Sequence, residues 1–84
     1  MSDFLTFIDD LSRRFPVHLE IYYSNIMDWC ITVYKKGCAE DYPNAPHNGN
    51  DVIICDVQSN DMELCFAKAH VEVKEWLLEF NGGY

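Results

Sequence analysis

Apolar positions in the first segment recur with helical spacing: Phe4, Phe7, Ile8, Leu11 and Phe15 fall on one side, and Asp3, Thr6, Asp9, Asp10 and Arg13 on the other. This predicts a helix over about 3–14, with Ser2 as N-cap and Pro16 as the stop, because proline biases the residue before it away from helical geometry. Acids at the start and Arg13-Arg14 at the end suit the helix dipole.

Beyond the proline the period falls to two. Val17, Leu19, Ile21 and Tyr23 alternate with His18, Glu20, Tyr22 and Ser24, and Trp29, Ile31 and Val33 alternate with Asp28, Cys30, Thr32 and Tyr34. Two strands of a hairpin follow, each with one buried face. Pairing apolar set with apolar set places Ile21 opposite Trp29, Leu19 opposite Ile31 and Val17 opposite Val33. Ser24-Asn25-Ile26 is then the turn, with Asn25 in the left-handed region, although a longer loop of the same parity fits as well.

Residues 36–50 are dense in Gly, Pro, Asn and Asp and hold no sustained period, which predicts a loop long enough to carry a role of its own. A third strand is expected over 51–57, where the unbroken run Val52-Ile53-Ile54-Cys55 conceals which side faces the core. Asn60-Asp61-Met62-Glu63 approximates a capping box that opens a second helix. Met62, Phe66, Ala69, Val73, Trp76, Leu77 and Phe80 mark its buried face, and Asn81-Gly82-Gly83 ends it. The opposite face shows Lys68, Glu72, Glu75 and Glu79, where Lys68 can pair with Glu72 while Glu75 and Glu79 repel.

The order helix, three strands, helix predicts one α+β domain over 1–84, an antiparallel meander with both helices on one face. His18, Glu20, Tyr22, Cys30, Thr32 and Tyr34 then share the other face. The chain's 84 residues suffice for one core, and 49% hydrophobic content argues against disorder. No basic, apolar and small-residue leader pattern and no membrane-length apolar run is present, so a cytoplasmic protein without membrane contact is expected.

Fourteen acids against six bases give a formal net charge of -8, a field that repels nucleic acid and excludes direct binding to it. The same charge also serves solubility. The four cysteines read as reduced thiols. They lack the close pairs of a structural zinc site, so no metal or cofactor is expected. Cys38, His47 and Asn48 share the long loop, but Glu40 and Asp41 beside the thiol oppose its ionisation. With no phosphate-binding glycine loop either, the chain does not read as an enzyme.

Recognition through charge remains. Glu40, Asp41, Asp51, Asp56, Asp61 and Glu63 gather around the long loop and the ends of the third strand, and Glu72, Glu75 and Glu79 form a helical stripe. Together with Tyr42 as an aromatic anchor, they are the candidate binding residues for a basic protein surface, such as that of a nucleic-acid enzyme. A second reading is a homodimeric accessory module that meets its symmetry mate through Tyr22 and Tyr34.

The short length, acidic balance and element order resemble small phage-encoded anti-CRISPR proteins that mimic DNA at the PAM-reading surface of an effector nuclease. The likeness covers most of the chain as architecture and shares no residue motif, so it assigns no binding residue. It implies an inhibitor from a phage or mobile element. The element order is also similar to that of double-stranded RNA-binding domains, but Asp61-Met62-Glu63 stands where those have a lysine-rich helix start, and RNA binding is not expected.

Overall fold

The computed structural model describes residues 2–14, 16–26, 28–37 and 39–83. Helix α1 (Ser2–Ser12) leads into strands β1 (Val17–Ser24) and β2 (Asp28–Lys35). A 3₁₀ turn (Ala39–Asp41), strands β3 (His47–Asn48) and β4 (Asp51–Ser59), and helix α2 (Met62–Phe80) complete the order. The fold is α+β with a four-stranded antiparallel sheet in the order β1-β2-β4-β3.

The fourth strand corrects the three-stranded expectation. It lies inside the segment read as loop, where two residues are too few to show a period. Its hairpin with β4 turns on Gly49-Asn50, and of these two only Gly49 has a positive φ, at 65°, which glycine adopts at no steric cost.

The first hairpin keeps the expected faces but slides by two residues. Leu19 pairs with Val33, Ile21 with Ile31 and Tyr23 with Trp29, so the connection is 25–27 and Met27 lies outside the described residues. Asp28, at φ 63°, takes the left-handed conformation assigned to Asn25. A slide of two preserves side-chain parity, which is why the hydrophobic pattern alone does not distinguish the registers.

The apolar run of β4 has a geometric explanation. Val33 pairs with Cys55 but Tyr34 with Ile53, so Ile54 is an extra residue in a β-bulge. The bulge lets Val52, Ile54 and Cys55 all turn inward, at 0%, 5% and 3% exposure, where strict alternation would have sent Ile54 and Cys55 to opposite faces.

Phe4, Ile8 and Leu11 of α1 join Ile31 and Val33 of β2, four β4 residues and the buried side of α2 in one core. Helix α2 packs on β4 and β2, and α1 on α2 and β1. Phe4 meets Phe66 edge to face at 5.7 Å. Cys65, next to the expected Phe66, is also fully buried on α2, while Met62 and Phe80 are only partly covered. Helix α1 ends two residues early, so Arg13 and Arg14 do not complement its dipole from within; Arg13 pairs with Asp9 at 3.2 Å. Phe15 lies outside the described residues.

Coverage of the sheet is uneven. Val17 and Leu19 of β1 are half-buried, but Ile21 and Tyr23 on the same face are 42% and 52% exposed, against the expectation of a buried face along the whole strand. The helices leave the hairpin end of β1 open, although the first turn of α2 reaches Trp29 on β2.

Leu77, fully buried, tests this core. Leu77→Ala is expected to lower unfolding free energy by about 2–5 kcal/mol in urea titration, through lost transfer energy and an unfilled cavity.

Candidate functional site

The acidic side of the molecule is built from the start of α2. Asp61, not Asn60, is the N-cap, and its carboxylate accepts from the Glu63 and Leu64 N–H groups at 3.0 and 3.3 Å. Ser59 Oγ accepts from the Asp61 N–H at 3.2 Å and ties the cap to the end of β4. Four residues on, the Cys65 thiol donates to the Trp29 carbonyl at 3.4 Å, which fixes the first turn against β2. At the far end Trp76 lies between Tyr42, with ring centroids 5.2 Å apart, and Phe80, 5.3 Å apart. With cap, thiol and indole seated, Lys68, Glu72, Glu75 and Glu79 are all exposed.

Between α2 and β4 runs a groove. Ile53, Ile54, Trp76 and Phe80 line it, and Glu72, Glu75 and Glu79 supply its carboxylates. Burial raises the Glu72 pKa above its ordinary value, repulsion from Glu75 and Asp56 adds to the rise, and Lys68 opposes it. Asp56, from β4, is therefore close enough to belong to the same acidic group. It also accepts weakly from the Thr32 hydroxyl at 3.4 Å. Trp76, 5% exposed, buries its indole N–H with no partner among the described residues.

The structure thus brings together Asp56, Glu72, Glu75 and Glu79 from the sequence-derived set. Glu40 and Asp41 stand exposed on the 3₁₀ turn. Glu63 is exposed in the first turn of α2, and Asp61 is engaged as its cap. Asp51 is tied down: Lys36 Nζ lies 2.6 Å from its Oδ2 and the Gly37 N–H donates to its Oδ1 at 3.0 Å. The bond from Lys36, then that from Gly37, holds the Asp51 pKa below the usual carboxylate value. Tyr42 is half-buried, with its hydroxyl 2.7 Å from Lys35 Nζ and its ring against Trp76, and so works as a pin between loop and helix.

On the outer sheet face Tyr22 is 56% exposed opposite Cys30, whereas Tyr34 is half-buried opposite His18, whose ring centroid is 6.0 Å away. The ladder keeps the two tyrosines apart. Burial pushes the Cys55 thiol up to about 12 and raises the Cys65 thiol as well, which keeps both protonated at neutral pH. Cys38 lies outside the described residues, and His47 is exposed on β3. No helix among the described residues is long and apolar enough to cross a membrane.

Sequence reasoning identified the helical acids but missed the groove beside them. Ile53 and Ile54 were visible only as an apolar run, and Trp76 only as a core position. No family model matches the chain, and neither a curated protein nor a solved structure does.

The pKa shifts make opposite predictions. Glu72 has a raised folded-state pKa, so ionising it costs stability above that value and the cost disappears as pH falls below its ordinary 4.5. Asp51 has a lowered folded-state pKa, so it contributes stability above its ordinary 3.8 that is lost as pH falls through the folded value. In urea titrations Glu72→Gln is expected to stabilise the protein at pH 7 and Asp51→Asn to destabilise it; the first difference shrinks toward zero as pH falls below 4.5, and the second only as pH falls below 3.8 through the lowered folded value.

Proposed function

We propose that this chain is a small acidic protein-interaction module that captures a basic surface of a partner through the α2–β4 groove. The observation that carries this reading is the unequal placement of charge. Arg13 is engaged by Asp9 and Lys36 by Asp51. Lys35 sits over the Tyr42 ring, 4.6 Å from its centroid, and Lys74 over that of Phe7 at 5.5 Å. Among the described residues Glu72, Glu75 and Glu79 enter no ion pair, and Lys68 is the cation that acts on Glu72.

Crowded carboxylates that outnumber their counter-charges are costly to the chain that holds them and favourable to a cation that approaches. Apolar Ile53, Ile54 and Phe80 beside them offer the stem of a lysine or arginine something to lie against. The narrower form of the proposal is an inhibitor from a phage or mobile element. Its acids would occupy the Lys and Arg of a nucleic-acid enzyme in place of phosphate, and its site of action would be the cytoplasm. Glu40, Asp41 and Glu63 then lend long-range attraction.

Affinity capture from a host lysate supplies the partner, and binding is then measured between about 50 and 200 mM salt, the range over which phosphate-like contacts weaken steeply. The triple variant Glu72→Lys, Glu75→Lys, Glu79→Lys is expected to weaken binding by more than about tenfold, on the order of 1.4 kcal/mol. Glu40→Lys with Asp41→Lys is expected to change mainly the association rate. Binding that survives the triple reversal, or that is indifferent to salt, refutes the charge-based reading.

A further inference from the structure

We infer that the chain forms a two-fold dimer by pairing β1 with β1 of a second copy, which joins two four-stranded sheets into one of eight. This goes beyond the groove reading and does not depend on it. Strand β1 is an outer strand of the sheet. Four large apolar side chains stand exposed on it and on the turn that follows: Ile21 at 42%, Tyr22 at 56%, Tyr23 at 52% and Ile26 at 90%. A long, regular, apolar edge is a template for a further strand.

The register of β1 identifies the groups on offer. The Lys36 N–H donates to the Pro16 carbonyl at 3.1 Å, and this bond continues the β1–β2 register as a hydrogen-bonded pair. Such pairs alternate with non-bonded ones, so His18, Glu20 and Tyr22 bond to β2. The N–H and C=O groups of Val17, Leu19, Ile21 and Tyr23 therefore point outward from the sheet edge.

Charge selects a second copy as the occupant. The chain carries -8 overall, but Glu20 is the sole acid on β1, and it is bonded to His18 at 3.1 Å. Two copies can approach along this edge with less repulsion than anywhere on α2. By contrast, the side of β4 turned from β2 is taken at its start by β3 and Pro46, is bulged at Ile54 and has Glu72 beside it, all of which blunt self-pairing.

Outward bonding groups on odd residues require odd to pair with odd. Centring the axis on Glu20 sets two carboxylates face to face. Centring it on Ile21 pairs Leu19 with Tyr23, Glu20 with Tyr22 and His18 with Ser24, the longest overlap that avoids direct opposition of acids. The stripe Leu19, Ile21 and Tyr23 then lies beside its own copy, so that the apolar side chains α1 and α2 leave open shield one another laterally.

The test combines light scattering over about 1–100 μM with cross-linking. Wild type is expected to dimerise, undiminished by added salt, in contrast to salt-sensitive capture of a basic partner. Ile21→Lys is expected to raise the dissociation constant by about tenfold or more, while Leu64→Lys, at a 47% exposed position on α2, leaves it unchanged. In a Cys38→Ser background, Ile21→Cys is expected to form an intermolecular disulfide under mild oxidation, since directly opposed bonded residues lie about 5.5 Å apart, within disulfide reach. A monomer throughout the range, a dimer indifferent to Ile21→Lys, or cross-linking through Tyr22→Cys in place of Ile21→Cys overturns the inference. None of these outcomes bears on the triple-glutamate variant, so the two proposals fail separately.

Discussion

The seating of α2 on β2 and β4 is the contact from which the rest of the surface follows. It is set by three fixed points: the Asp61 cap tied to Ser59, the Cys65 thiol on the Trp29 carbonyl, and Trp76 between Tyr42 and Phe80. These lie on one side of the helix, so their burial determines which side is left in water. The β4 bulge supports the same contact, because Ile54 and Cys55 together give α2 a broader apolar floor than one alternating strand provides. Packing, not charge, decides where the acids stand.

That arrangement costs stability locally. Glu72 is held partly out of water beside Glu75 and Asp56, and its raised pKa shows that the charged form is disfavoured there. Asp51 is the contrasting case, a carboxylate given a lysine and a backbone N–H. One chain thus contains acids that help to hold the fold and acids that the fold tolerates, and the second kind is what a basic partner would relieve. The buried Trp76 N–H beside the same groove, without a partner among the described residues, is a further group at this place that a ligand could satisfy.

The two ends of the sheet differ in kind. The β4 side is acidic, bulged and backed by α2, whereas β1 is regular, apolar and covered only at its beginning. Pairing through β1 would set two acidic grooves at opposite ends of one continuous sheet, and a partner with repeated basic surface would meet both. Such bivalency raises effective affinity without any new contact.

Much of this was determined by the sequence alone. The helical and alternating patterns placed both helices and the first two strands, since burial of one face requires those periods, and an unbroken apolar run placed the third long strand. Parity fixed the shared faces of the first hairpin, but not its slide by two residues, because a step of two leaves every side chain on the same face. The stripe of Glu72, Glu75 and Glu79 was legible as well. Only the tertiary structure decided which acids are spent: Asp51 on Lys36 and Gly37, and Asp61 on the helix cap, depend on partners brought near by folding. It also placed the bulge at Ile54, the short strand β3 and the exposure of Ile21 and Tyr23. Each depends on how far one element reaches over another, a distance in space that no spacing along the chain encodes.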